Sequence, residues 1–128
     1  TSKASSGNGT TIADLAQQQI GSPYRYGGEN PAGFDCSGLV RYVYRQIGIN
    51  VPRSSQQLYS KARKIKPSKV QSGDLLFFRI SEKKVSHVGI YVENGQFVHA
   101  PSSGKRVSMA RLSNPYWEKR LIGAGRLH

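Results

Sequence analysis

The residues best suited to covalent chemistry are one cysteine and two histidines. Cys36 is the single cysteine of a 128-residue chain and lies in Gly33-Phe34-Asp35-Cys36-Ser37-Gly38. A loop rich in glycine and aromatics precedes it, and an apolar run of helical spacing follows. A thiol at a helix start faces unpaired N–H groups and the positive end of the backbone dipole. Both favour the thiolate, so a depressed thiol pKa is expected. His87 and His99 each fall in a strand-like segment. One thiol with two imidazoles is the minimum set for Cys–His nucleophilic catalysis. A lone Cys is more often a small buried hydrophobe and a lone strand His a satisfied structural group. The combination is what points to chemistry.

These groups need elements to hold them. Leu39, Val40, Val43, Tyr44 and Ile47 recur at three and four, and Gly48 ends the run. This predicts a helix with Asp35 as N-cap and Cys36 in its first turn. Upstream, residues 1–10 are small and polar and read as a flexible tail or linker. Ile12, Leu15, Ala16 and Ile20 then mark a helical face, with Thr10 or Thr11 as N-cap and Gly21 as the stop. Residues 21–34 read as a loop. Ser54 and Gln57 have the spacing of a capping box, so 54–60 is a further short helix. After Pro67 the pattern turns to strands at 74–80, 86–92 and 96–100, with candidates at 106–112 and 121–127. Helices first and an antiparallel sheet after them is the α+β pattern. The domain is expected to span 11–128.

The turn between the histidine strands decides whether the imidazoles can meet. A two-residue loop at Asn94-Gly95 sets His99 opposite Ile90 and sends the two rings to opposite faces. A three-residue loop, Glu93-Asn94-Gly95 with Gly95 left-handed, sets His99 opposite Gly89. His87, Gly89, Tyr91, Phe97 and His99 then share one face, and Val88, Ile90, Val92, Val98 and Ala100 face the core. Local preference leans to the first register, whereas the chemistry requires the second, which is the one expected here.

Nineteen Lys and Arg against seven Asp and Glu give a net charge of +12. Such a domain seeks anionic partners. Zinc-finger spacing, RNP-like aromatics and basic heptads are missing, so nucleic acid is not expected. The cluster Lys61-Ala62-Arg63-Lys64-Ile65-Lys66 reads as a solvated helix end or loop. No apolar stretch nears the roughly 20 residues of a membrane span. The first residue is Thr1 rather than Met, which reads as a processed or trimmed start. One cysteine excludes an intrachain disulfide. No metal-ligand set and no cofactor motif stands out.

Six segments in order resemble the NlpC/P60 family of bacterial cell-wall cysteine peptidases. They are Pro23-Tyr24-Arg25-Tyr26-Gly27-Gly28, Phe34-Asp35-Cys36-Ser37-Gly38-Leu39-Val40, Pro52-Arg53-Ser54-Ser55, Gly73-Asp74-Leu75-Leu76-Phe77-Phe78, His87-Val88-Gly89-Ile90-Tyr91-Val92 and Phe97-Val98-His99-Ala100. The family often has Gln where this chain has Leu58, and glycine where it has Glu93. The resemblance implies a papain-like α+β fold, with helices on a five- to six-stranded antiparallel sheet. It implies hydrolysis of peptidoglycan stem peptides, typically between γ-linked D-glutamate and the diamino acid at position three. By the same resemblance Cys36 is the nucleophile, His87 the general base and acid, and His99 the residue that orients His87.

Tyr24 and the Cys36 N–H are then candidate oxyanion donors. Asp35 is an N-cap that could also hold a substrate amine, and Ser37 and Arg53 could meet substrate carboxylates, Arg53 otherwise forming a surface ion pair. Tyr26, Phe34 and Trp117 read as packing, and Asp74 as a cap or turn residue. Stem peptides and an anionic envelope surface are the expected partners of a monomer in the bacterial envelope. A decayed wall-binding module, or an amidase or acyltransferase on the same fold, are the alternatives.

Overall fold

In the computed structural model, which describes residues 3–80, 83–102 and 104–128, the first element is helix α1 (Lys3–Gln18). It starts well before the N-cap expected at Thr10 or Thr11. Local propensity argues for the later start, because Ser, Gly and Asn are poor helix formers. Tertiary contact decides otherwise. A Cβ on Gly9 would lie 2.3 Å from the Ser72 carbonyl oxygen, and one on Gly73 (φ +88°) would lie 2.6 Å from the Gly9 Cα. Two glycines therefore let the helix and the 72–73 turn touch backbone to backbone. Ile12, Ala13 and Ala16 are buried further along the same helix.

The stretch expected as loop holds a small ribbon, β1 (Glu29–Asn30) paired with β2 (Gly33–Phe34). Helix α2 (Cys36–Gln46) follows with Asp35 as its N-cap. Leu39, Val40, Val43 and Tyr44 are fully buried. Burial of such side chains is worth about 1.5–3 kcal/mol each. Helix α3 (Ser55–Lys61) starts where the Ser54 hydroxyl accepts from the Gln57 N–H at 3.2 Å.

Next comes β3 (Arg63–Ile65), a correction to the reading of residues 61–66 as helix end or loop. A 3-10 turn (Pro67–Lys69) leads to β4 (Leu75–Phe78), β5 (His87–Glu93), β6 (Gln96–His99), β7 (Ser108–Arg111), helix α4 (Pro115–Arg120) and β8 (Leu121–Arg126). The six-stranded sheet has the order β3-β8-β4-β5-β6-β7 and its pairs are antiparallel. The cationic strand β3 lies on an edge, where lysine is tolerated. Its Ile65 packs toward the cluster of Leu76, Phe78, Phe97 and Ala124.

One face of the sheet carries Val88, Ile90, Val92, Val98 and Ala100 into the core with α1 and α2, as the alternation predicts. The other face gathers Phe78, Phe97, Tyr91 and Trp117. The expected register is present, but a different device produces it. Asn94 and Gly95 have φ of 51° and 77°, which fits the two-residue type I′ turn that local preference favours. Glu93 opposes Gln96, and a bulge between Tyr91 and Glu93 then shifts the pairing so that Tyr91 faces Phe97 and Ile90 faces Val98. Turn preference and side-chain alternation are both satisfied because the bulge absorbs one residue.

Candidate active site

Asp35 sets the start of α2. Its Oδ1 accepts from the Gly38 N–H at 2.7 Å, and its Oδ2 accepts from the Gly27 N–H at 3.0 Å. The 27–28 loop is thus drawn onto the helix start. Only glycine fits there, since a Cβ on Gly38 would lie 1.9 Å from the Gly28 carbonyl oxygen. Cys36 is the next residue, half-buried, with its sulfur beside the backbone amides of Val88, Ser37 and Cys36 itself. The thiol at the helix start therefore lies beside the strand residue that follows His87.

Burial pushes the Cys36 thiol up to about 11, and the Asp35 carboxylate adds to the rise. The three amides pull the other way without offsetting it. The depressed pKa expected from the helix start is corrected accordingly: the end of the helix is there, but the sulfur is too dry to keep a charge at rest.

His87 and His99 are each 2 % exposed, and His87 Nε2 lies 2.8 Å from His99 Nδ1. Gly89 makes this possible. A Cβ there would meet the Phe97 ring at 2.8 Å and the His99 Cβ at 3.4 Å. Burial lowers His87 to about 3, with His99 contributing, and burial alone lowers His99 to about 4. Both rings are neutral at pH 7. In a neutral pair one nitrogen donates and the other accepts. When His87 Nε2–H donates to His99 Nδ1, the Nδ1 of His87 keeps a free lone pair for a proton.

Trp117 closes the dyad from α4. Its ring stacks on His87 at 5.4 Å and 21°, and meets His99 edge-on at 4.8 Å. Read from sequence as packing, it does pack, but its partners are the two imidazoles. Helix α4 itself was missed. Its signal was Asn114-Pro115, a cap followed by proline at the first helical position, and the Asn114 side chain accepts from the Tyr116 N–H at 2.8 Å.

Tyr24 lies near enough to Cys36 and Asp35 to feel both. Burial raises its phenol, and its neighbours Cys36 and Asp35 raise it further, so it remains a neutral hydrogen-bond donor. Phe34 is fully buried, as expected, whereas Tyr26 is 90 % exposed and not a packing residue.

Arg53 ties Asp35 and Ser37 together. It donates to both Asp35 oxygens at 3.1 and 3.0 Å and to the Ser37 hydroxyl at 2.8 Å. Its Nε reaches Glu29 at 3.1 Å, and Glu29 also receives Arg41 at 3.2 Å. Arg53 thus forms ion pairs with both Asp35 and Glu29. Asp74 does turn the chain, accepting from the Gln71 N–H at 2.8 Å. It also holds Arg126 at 2.7 and 2.8 Å and His128 at 3.1 Å, partners that its sequence neighbourhood does not suggest. Burial favours its neutral form, but Arg126, His128 and the Gln71 amide outweigh that, and its pKa is lowered.

Two clefts flank these residues. One, of about 370 Å³, is lined by Tyr26, Gly27, Asp35, Ser37, Arg53 and Ser54 beside the cysteine. The other, of about 400 Å³, is lined by His99, Pro101, Ser102, Lys105, Tyr116 and Trp117.

The sequence profile of the NlpC/P60 family matches residues 21–126. Murein DD-endopeptidase MepH of Escherichia coli K12 is 44 % identical over 86 % of this chain and 42 % of its own length. Gamma-DL-glutamyl hydrolase of Bacillus subtilis 168 is 41 % identical over 90 % of this chain and 28 % of its own length. The chain therefore spans less than half of these relatives. Among solved structures, an NLP/P60-family protein described as similar to lipoprotein, from Staphylococcus aureus Mu50, superposes with a TM-score of 0.85 at 39 % identity. It covers 95 % of this chain and 42 % of its own. The NlpC/p60 domain of the peptidoglycan hydrolase SagA superposes with a TM-score of 0.82 at 36 % identity, covering 93 % of this chain and 98 % of its own.

Proposed function

The chain belongs to the NlpC/P60 family, and on that premise we propose that it is a thiol endopeptidase of peptidoglycan stem peptides, acting in the bacterial cell envelope. The observation that carries the reading is the His87–His99 contact of 2.8 Å, with the Val88 amide that follows His87 lying beside the Cys36 thiol. The bond cleaved is that between γ-linked D-glutamate and the diamino acid at position three. The names of the two relatives differ on this point, one being a DD-endopeptidase and the other a gamma-DL-glutamyl hydrolase.

The reaction begins from a neutral thiol and a neutral imidazole. Cys36 passes its proton to Nδ1 of His87 as the sulfur attacks the scissile carbonyl. His99 holds the Nε2–H and so fixes the tautomer. The Cys36 N–H and the Tyr24 hydroxyl donate to the oxyanion. His87 then protonates the departing amine, leaving an acyl-enzyme. Water attacks this thioester, gives its proton to His87 and releases the acid, and the proton returns to sulfur. Asp35, Ser37 and Arg53 form the wall of the cleft on the acyl side.

Digestion of defined muropeptides, with products identified by mass spectrometry, tests the reading. An uncross-linked tripeptide stem should lose its diamino acid. Cleavage of cross-linked dimers to intact monomers would instead mark a DD bond. The Cys36→Ala variant should release nothing. Binding to the wall without cleavage by the unmodified chain would leave a binding module.

A further inference from the structure

The cleft bounded by Trp117 and Lys105 is not used by any step above. It opens beside His99 and not His87. Its floor is aromatic and apolar, with Trp117, Tyr116, Pro101 and Ile80. Its polar side chains include His99, Ser102, Ser108 and one cation, Lys105, and among the described residues no carboxylate lines it. Lys105 is held in place by its backbone. Its N–H donates to the Ser102 carbonyl at 3.1 Å, and its own carbonyl accepts from the Tyr24 N–H at 3.0 Å. The turn that carries the ammonium is thus pinned to the residue placed at the oxyanion. The ion pairs of the described residues engage Arg41, Arg53, Arg126 and His128, not Lys105.

The acyl-side cleft has the opposite character, because its one guanidinium is already matched by Asp35 and Glu29. A substrate lying across Cys36 with its acyl part there puts its amine part toward His99. We infer that the Trp117–Lys105 cleft is the subsite for the amine-side residue, and that Lys105 recognises a carboxylate carried by that residue while Trp117 supports its aliphatic chain. An exposed ammonium at the rim of a largely apolar cleft favours a carboxylate over its uncharged amide. Amidation of the diamino acid would then be read at this position. The inference rests on the endopeptidase reading, and its test does not depend on hydrolysis.

Trp117 is the only tryptophan in the chain, so its fluorescence reports on the cleft directly. Titration with free meso-diaminopimelate should change Trp117 emission saturably, and the diamide should need about tenfold more ligand for the same change. In Lys105→Gln the two ligands should become equivalent, and Lys105→Arg should restore the preference. Equal responses of the unmodified protein to acid and diamide overturn the assignment, as does an unresponsive tryptophan or a preference that survives in Lys105→Gln. Tripeptide stems with free or amidated diaminopimelate carboxylates separate this from the endopeptidase reading. Cleavage of both at equal rates sinks the subsite alone, whereas binding with no cleavage of either sinks the peptidase alone.

Discussion

Trp117 lies nearly parallel to the imidazole of His87, 5.4 Å away and tilted by 21°. A half-buried indole thereby shields a ring that is itself 2 % exposed. Burial is the first cause of the low pKa of His87, so the indole helps keep this imidazole neutral.

Replacing Trp117 by Ala admits water to the dyad. The pKa of His87 should move up from about 3 toward the ordinary value near 6.5. We expect the acid limb of kcat/KM to rise by about one pH unit or more and kcat to fall about tenfold. Trp117→Phe should keep most of both. A profile whose acid limb stays in place while activity drops would make the indole a packing residue only.

In the proposed mechanism His99 acts through His87. With its Nδ1 at 2.8 Å from His87 Nε2, it selects the tautomer that leaves His87 Nδ1 basic. His99→Ala removes the acceptor and should lower kcat about a hundredfold with little change in KM. His99→Gln can still present an oxygen acceptor and should recover about tenfold of that loss. Equal activity of the Ala and Gln variants would show that no hydrogen bond of His87 matters.

How much of this was legible depends on the range of the forces involved. Helix α2, its Asp35 cap and the Ser54–Gln57 box are short-range patterns, and they stand where the spacing put them. The two strand faces around His87 and His99 were legible because alternation is strict and one face is apolar. The register was reached for a chemical reason, while the bulge that produces it leaves no local mark. Helix α1 begins early because Gly9 meets Gly73, a contact between residues 64 apart in sequence. Strand β3 is cationic and becomes a strand only because β8, near the other end of the chain, offers an edge. Trp117 could be read as buried, but not as buried against the dyad. The raised pKa of Cys36 follows from dryness, which only the assembled fold defines.

Asp35 is the joint between the cysteine helix and the loop at residues 27–28. Its carboxylate accepts from Gly38, Gly27 and Arg53 at once. Loss of an N-cap costs about 1 kcal/mol, and the Arg53 pair, partly solvated, adds at most about 1 kcal/mol. Asp35→Ala should therefore lower stability by about 2 kcal/mol, seen as a lower urea midpoint with unchanged slope. Asp35→Asn keeps the cap and should lose about half as much. If Asn and Ala were equally destabilising, the ion pair and not the cap would be what Asp35 contributes.

The same burial that keeps the histidines neutral makes the fold sensitive to mild acid. In the folded chain His87 and His99 titrate at about 3 and about 4, whereas in the unfolded chain both titrate near 6.5. Between these limits the unfolded state binds more protons, so stability rises with pH. The contribution is complete above about pH 6.5 and is lost as the pH falls toward 4 and then 3. A tenfold difference in proton affinity between folded and unfolded chain corresponds to about 1.4 kcal/mol, so a loss on the order of a few kcal/mol is expected by pH 4.5. Asp74, whose pKa is lowered by Arg126 and His128 against the effect of burial, adds its own loss as the pH falls through the carboxylate range. Urea midpoints at pH 7.5 and 4.5 should therefore differ clearly. His99→Gln removes one of the two buried bases and should shrink that difference. A midpoint that holds steady or rises on acidification would mean that the imidazoles are hydrated in solution, and the neutral resting dyad would have to be abandoned.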